Sequence, residues 1–221
     1  MRTGTLNNYV KFSKKFGGVR KCYEGKPIIA VGGFDCEKEL MPLNGAAMAA
    51  GTLVYADEQA RSIVPLYTFK VLSVDTATKK VKVEKYETGS IAKVGMILVV
   101  VGDDLNQAAA NVATVTAVDS SAADYDILTM DEVVADSAAF IAEGDVLAEA
   151  KSAAIKKVKV IPNGLTYCDN VLDPDAYAID IDYIWNCMEK PVLERRMPPL
   201  TASLKKALRD NECYFRFSNR K

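Results

Sequence analysis

The residues best suited to chemistry in this chain are carboxylates. The stretch "DPDAYAIDID" sets Asp173, Asp175, Asp180 and Asp182 close together, and clustered oxygen donors are what Ca²⁺ or Mg²⁺ take. The pattern stops short of a calcium loop, because it lacks the glycine of the sharp turn and the closing glutamate. Asp180 and Asp182 alternate with apolar residues, so they share one strand face, read as the wet one. Asp103 and Asp104 follow "VVVG" and read as a turn.

Other chemistries are narrower still. The chain has no histidine, which excludes Ser-His-Asp and Cys-His catalysis and every His-ligated metal. Its five cysteines, Cys22, Cys36, Cys168, Cys187 and Cys213, are odd in number and widely spaced, with no CxxC. They read as free thiols of a reducing compartment, and the short ligand pairs of a zinc site are missing. Neither "GDDLNQAAANVA" nor "VGGFDC" carries a phosphate-loop fingerprint. No pair of carboxylates set for hydrolysis is legible. The expectation is therefore a protein with no catalytic residues, no metal and no cofactor, and not an enzyme.

Charge is distributed unevenly. The net charge is −1, so nothing draws the whole chain to nucleic acid or to an anionic membrane surface. Residues 1–20 hold Arg2, Lys11, Lys14, Lys15 and Arg20 and no acidic residue, while residues 190–221 hold nine basic and three acidic residues. The middle is acidic. Basic ends on an acidic body read as subunit contacts or solvated tails, and nucleic acid is not an expected partner because the aromatic-plus-basic signature is weak. No apolar run reaches the roughly 18–20 residues of a membrane helix. "MRTGTLNNYVKFSKKFGG" has no continuous apolar core, so it does not read as a secretory signal, and synthesis in the cytoplasm is expected.

The elements that would position any site are strands. "AAGTLVYADEQARSIVPL" reads as a hairpin around Asp57-Glu58. "FKVLSVDTATKKVKVE" from Phe69 and "ATVTAVDSSAADYDILT" from Ala113 then repeat one plan: an alternating run, Val-Asp, a few small polar residues, a second alternating run. In the first copy Phe69, Val71 and Ser73 are expected on one face, with Lys70, Leu72 and Val74 on the other. The Asp and Thr side chains suit the capping of a turn. A second motif recurs with the first, since Gly51, Gly95 and Gly144 each stand before a short apolar strand, where glycine permits a positive φ. These signals predict a mainly β fold: a small antiparallel β-barrel or sandwich built from repeated hairpins, with an extended N-terminal arm and a C-terminal α+β segment. The expected division is residues 1–40 as the arm, 41–150 as the barrel domain and 151–221 as the C-terminal segment. In the last of these, "AYAIDIDYIWNC" alternates as a strand with Trp185 read as core, and "KPVLERRMPPL" is an extended bend. "TASLKKALRD" is a short helix capped by Thr201, and "CYFRFS" is a closing strand.

Candidate interaction residues lie at the two basic ends. Tyr9, Phe12 and Phe16, with Arg20 and Tyr23, give the arm aromatics that a purely solvated tail lacks, so it is expected to order against a neighbouring subunit. Arg195 and Arg196 beside Glu194 supply planar forks suited to an intersubunit contact.

Two patterns together resemble a known family. The Gly-led strands of "AAGTLVYAD…VPL" and "GDVLAEA", and the run "AIDIDYIWNCMEKPVLERRMPPLTASLKKALRDNECYFRFS", resemble tailed-phage head decoration and head fibre proteins over roughly residues 45–221. The resemblance implies a non-enzymatic β-barrel protein on the capsid surface of the virion. It implies the major capsid protein as partner and a homo-oligomer, a trimer being favoured. It carries no catalytic residue across, and the basic arm stands outside it. The alternative reading is a carbohydrate- or host-surface-binding module of a phage fibre, with Tyr55, Tyr67, Tyr86 and Tyr125 as stacking surfaces.

Overall fold

The structure, a computed structural model, describes residues 21–42, 46–86, 88–135, 138–171 and 178–219. Among them β-strands dominate and there is a single α-helix. The chain first lays down β1 (Ile28–Glu37), β2 (Ala47–Met48), β3 (Leu53–Asp57) and β4 (Ser62–Leu66). It continues with β5 (Thr68–Asp75), β6 (Lys80–Glu84), β7 (Ile97–Val100), β8 (Ala113–Asp119) and β9 (Tyr125–Met130). After the two-residue strands β10 (Val134–Ala135) and β11 (Ala138–Ala139) come β12 (Val146–Glu149), β13 (Gly164–Thr166) and β14 (Asn170–Val171). The chain closes with β15 (Ala178–Leu193), α1 (Ala202–Asp210) and β16 (Tyr214–Ser218).

The repeated plan becomes a closed antiparallel barrel in the order β12-β5-β6-β9-β8-β7. Its two halves, β5-β6-β7 and β8-β9-β12, match in detail. Gly95 donates its N–H to the Val115 carbonyl (2.8 Å) and Gly144 to the Val71 carbonyl (3.0 Å). Val115 and Val71 return bonds to Met96 O (2.8 Å) and Asp145 O (2.9 Å). Both glycines have φ 89°, and a Cβ at either would meet nothing within 4 Å. Backbone conformation, not space, therefore selects glycine there. The third strand of each half pairs with the first strand of the other, β7 with β8 and β12 with β5. The pairings of β6 with β9 and of β7 with β12 then join the strands into a closed ring.

The plain alternation expected for the first hairpin strand does not hold along its length. Register shifts fall between Val71 and Ser73, and again between Val115 and Ala117. Each adds a residue to one strand and reverses the phase beyond it. Val74 and Val118 therefore turn toward the core, while Ser73 and Ala117 are exposed. The Val-Asp pair marks the far side of the bulge. Asp75 Oδ1 accepts from Ala77 N (3.0 Å) and its Oδ2 from the Thr78 hydroxyl (2.6 Å), while Asp119 accepts from Ser121 N (3.0 Å). Bonds from Thr78 hold the Asp75 carboxyl below its usual range, and bonds from Ser121 do the same for Asp119.

The remaining long strands form a second ring. Pairings run β1-β4-β3-β13-β15 and return from β15 to β1, and β16 is added in parallel outside β15. Two corrections follow. Part of the segment read as an arm is built into this chain's own sheet, since β1 pairs with β15 from Ile28↔Asn186 to Glu37↔Ala178. The hairpin β3–β4, grouped with the barrel by sequence, belongs to the second ring, where β3 pairs with β13. The rings share their cores. Barrel residues Phe69, Val81, Leu128 and Leu147 pack in one cluster with Phe34, Ile181 and Tyr183 of the second ring. A second cluster joins Leu53, Leu66 and Ile184 to Leu204 and Leu208 of α1. The helix begins where its cap predicts, with Leu204 N donating to Thr201 Oγ1 (3.3 Å).

Candidate functional site

The long strand β15 builds the most distinctive surface. Its first part alternates as expected, with Ile181 and Tyr183 buried and Asp180 and Asp182 exposed. A register shift then intervenes, because Ile29 pairs with Ile184 but Ile28 pairs with Asn186. Trp185 is the extra residue. Ile184 and Cys187 face the second core, and the bulge sends Trp185 and Asn186 together to the opposite face. Asn186 lies between Ile28 of β1 and Tyr214 of β16, so all three share that outer face. Met188, alternating with buried Cys187, extends it. Ile28, Trp185, Met188 and Tyr214 are 37–54% exposed. Four large apolar side chains are exposed together on one stretch of sheet, a kind of surface that in proteins generally marks interaction sites. Trp185 is thus not core, contrary to the sequence reading.

Beside this face runs β16, whose stretch Tyr214–Phe217 is paired by β15 alone among the described residues. Both rings close on themselves. Tyr214 and Arg216 are exposed, whereas Phe215 and Phe217 are half-buried against the second core. Lys205 of α1 lies 5.4 Å from the Phe217 ring centroid. Its ammonium is held by Glu194 at 2.8 Å.

The two predicted arginines stand where β15 ends. Arg195 is exposed and Arg196 half-buried. They occupy a single 3-10 turn, Glu194–Arg196, so the extended bend predicted there is replaced by strand up to Leu193 followed by a turn. Leu193 pairs with Ser218, which sets Arg195 and Arg196 just beyond the end of β16. Tyr9, Phe12, Phe16 and Arg20 lie outside the described residues, as do Asp173 and Asp175. Of the arm's aromatics, Tyr23 is buried and stacks on Tyr167 (5.4 Å between centroids).

The tyrosines considered for a stacking platform do not form one. Tyr67 is buried and donates to Leu40 O (2.8 Å), Tyr86 donates to Thr68 O (2.8 Å), and Lys82 covers Tyr125 at 3.6 Å from its centroid. Only Tyr55 stands in the open.

Two clefts of about 340 Å³ flank the loop between β7 and β8 and share Asp103, Asp104 and Leu105. Two of their charged groups are already occupied. Asp104 accepts from Asn106 N (2.9 Å), and Lys206 is paired with Asp210 (2.7 Å). Among the described residues no three Cys, Asp or Glu side chains are grouped to hold a metal ion, and no helix is long and apolar enough to cross a membrane. Four of the five thiols are buried. Burial, then the nearby Glu37 charge, pushes Cys36 up to about 12, and burial with the Glu212 charge pushes Cys213 to about 11. Such thiols are poor nucleophiles.

The hint that sequence reasoning missed is the triplet Tyr183-Ile184-Trp185. Three large apolar residues in a row cannot all face one core from a regular strand.

The chain matches no family model, no curated protein and no solved structure.

Proposed function

We propose that this chain is a non-enzymatic structural protein of a phage virion, binding the outside of the capsid to decorate or stabilise the head or to anchor a head fibre. The observation that carries the reading is the exposed apolar face of Ile28, Trp185, Met188 and Tyr214 on an otherwise self-closed β scaffold. A protein that reinforces a shell needs a rigid body and a contact surface. Closed rings with shared cores supply the rigidity, and the apolar face supplies the contact. The major capsid protein is the partner in this reading, and copies of the chain associate, as a trimer for preference. Symmetric lattices multiply a modest contact by avidity.

Co-sedimentation of the purified protein with particles assembled from the matching major capsid protein tests this. Saturable binding is expected. Trp185→Ala should weaken it by at least about tenfold, as for an aromatic at the centre of an interface, while leaving the folded circular-dichroism spectrum unchanged. A protein that stays monomeric in sedimentation velocity and leaves such particles bare would overturn the proposal.

A further inference from the structure

This apolar face has a neighbour with its own chemistry, the outer edge of β16 over Tyr214–Phe217. We propose that this edge, over Tyr214–Phe217, accepts an extended segment of a partner protein as one more strand, and that the segment alternates apolar with acidic residues. The inference rests on reading the β15–β16 surface as a docking site, but not on the partner being a capsid protein.

Three observations specify the occupant. First, among the described residues β16 is paired by β15 alone, so over Tyr214–Phe217 its outer edge offers backbone N–H and C=O groups to a partner. Second, its side chains sort by face. Phe215 and Phe217 sit half-buried at the rim of the second core, so an added strand would finish covering them with apolar residues at alternate positions. Tyr214 and Arg216 point to the opposite, exposed face, where a residue across from Arg216 is best acidic. Third, the surroundings along and beyond the strand are cationic. Arg216 opposes the β15 bulge between Cys187 and Val192, which carries Lys190, and Arg195 and Arg196 follow the end of the edge. The acidic groups nearby are Glu189 and Glu212, with Glu194 neutralised by Lys205 at 2.8 Å. Positive charge therefore prevails from Arg216 onward, and Glu212 stands before the first residue of the edge. An arginine at the centre of the edge also opposes pairing with a second β16, since like charges directly opposite are unfavourable.

The test uses three fluorescein-labelled seven-residue peptides on the full-length protein. One alternates Glu with Val, one alternates Lys with Val, and one repeats the Glu-Val sequence with proline at its centre. Fluorescence anisotropy should show the Glu-Val peptide binding at least about fivefold tighter than the Lys-Val peptide, the swing expected from opposite against like charges across strands. The proline should remove binding by breaking the ladder. Amide hydrogen exchange of residues 214–217 should slow in the complex. Arg216→Gln should weaken the preference without touching any buried group, and Arg216→Glu should reduce it further. Equal binding of the two charged peptides, absence of saturable binding, or binding that leaves exchange at 214–217 unchanged would each overturn the proposal. Capsid association lost in Trp185→Ala while peptide binding persists would separate this edge from the apolar face. Peptide binding without any capsid binding would refute the capsid reading alone.

Discussion

Replacing Lys85 by methionine should be among the most damaging single changes in the barrel, although neither copy of the repeat marks this residue. The Lys85 ammonium lies 3.1 Å from Asp126 Oδ1, with side-chain exposures of 11% and 4%. It also donates to the carbonyls of Ser120 (2.6 Å) and Ala122 (2.7 Å), clamping the tip of the β8–β9 hairpin to the end of β6. Methionine keeps the apolar stem and removes the charge. Asp126 then remains as a buried carboxylate whose charge has lost its partner, and breaking a buried pair from one side costs about 3–5 kcal/mol. The two tip carbonyls sit near solvent and can turn to water, so the lower end of that range is expected. Urea unfolding followed by circular dichroism should show the midpoint falling with the slope unchanged. The double change Lys85→Met/Asp126→Asn should recover more than half of the loss, because it removes the stranded charge. The effect should survive high salt, which screens exposed pairs and not buried ones. As a control, Lys206→Met breaks a pair exposed by 71% and 58% and should cost under about 0.5 kcal/mol. A Lys85→Met protein within about 1 kcal/mol of the parent would refute the argument that this pair anchors the hairpin.

Gly164→Ala places a Cβ into the Tyr183 ring and 3.2 Å from Ile184 O. It should destabilise by about 2 kcal/mol or more in chemical denaturation, as overpacking does, with part of the loss returned by Tyr183→Leu. Thr201→Ala removes the helix cap and should cost about 1 kcal/mol, or roughly 2–4 °C in a thermal melt. Stability should also fall in alkali. The Cys36 thiol titrates from 9.0 when unfolded but at about 12 when folded. The unfolded chain therefore loses its proton first, and stability present below pH 9 declines by about 1.4 kcal/mol per unit as pH rises through this window. Cys36→Val should flatten that slope between pH 9 and 11, and an unchanged slope would show that other groups set it.

Local pattern was enough to read the hairpins, the glycine-led strands, the helix and its cap. Each depends on neighbours in sequence: alternation, an Asp beside its turn, Thr201 three residues before Leu204. What escaped depends on distant partners. Nothing near Ile97 states that β7 pairs with β8 and β12, or that β12 crosses back to β5. The bulges after Val71 and Val115 were equally hidden, because "VLSVD" and "VTAVD" read as unbroken alternation until a partner strand imposes the register. The same holds for Trp185. Its exposure follows from the extra residue opposite Ile28, a fact about β1 and β15 together that neither segment declares alone. The candidate site was legible only at its margin, in Arg195 and Arg196, for its apolar centre is a product of the register.

The duplication also bears on where recognition falls. A repeated hairpin unit can dispose of its edges by pairing with its own copy, and here each half lends its third strand to the other. A barrel closed in this way pairs most of its backbone within itself. The second ring closes as well, through β1 and β15, and its surplus strand is β16, which has no counterpart in the repeat. Among the described residues β16 is paired by β15 alone; it stands outside the barrel's symmetry, beside the long strand whose bulge turns a tryptophan outward. If the scaffold were the recognition element, changes at the hairpin tips around Asp75 and Asp119 would disturb binding most. On the proposed reading, tip substitutions leave partner binding intact, whereas Trp185→Ala weakens capsid binding and changes at Arg216 alter the charge preference of the strand edge, with the fold preserved.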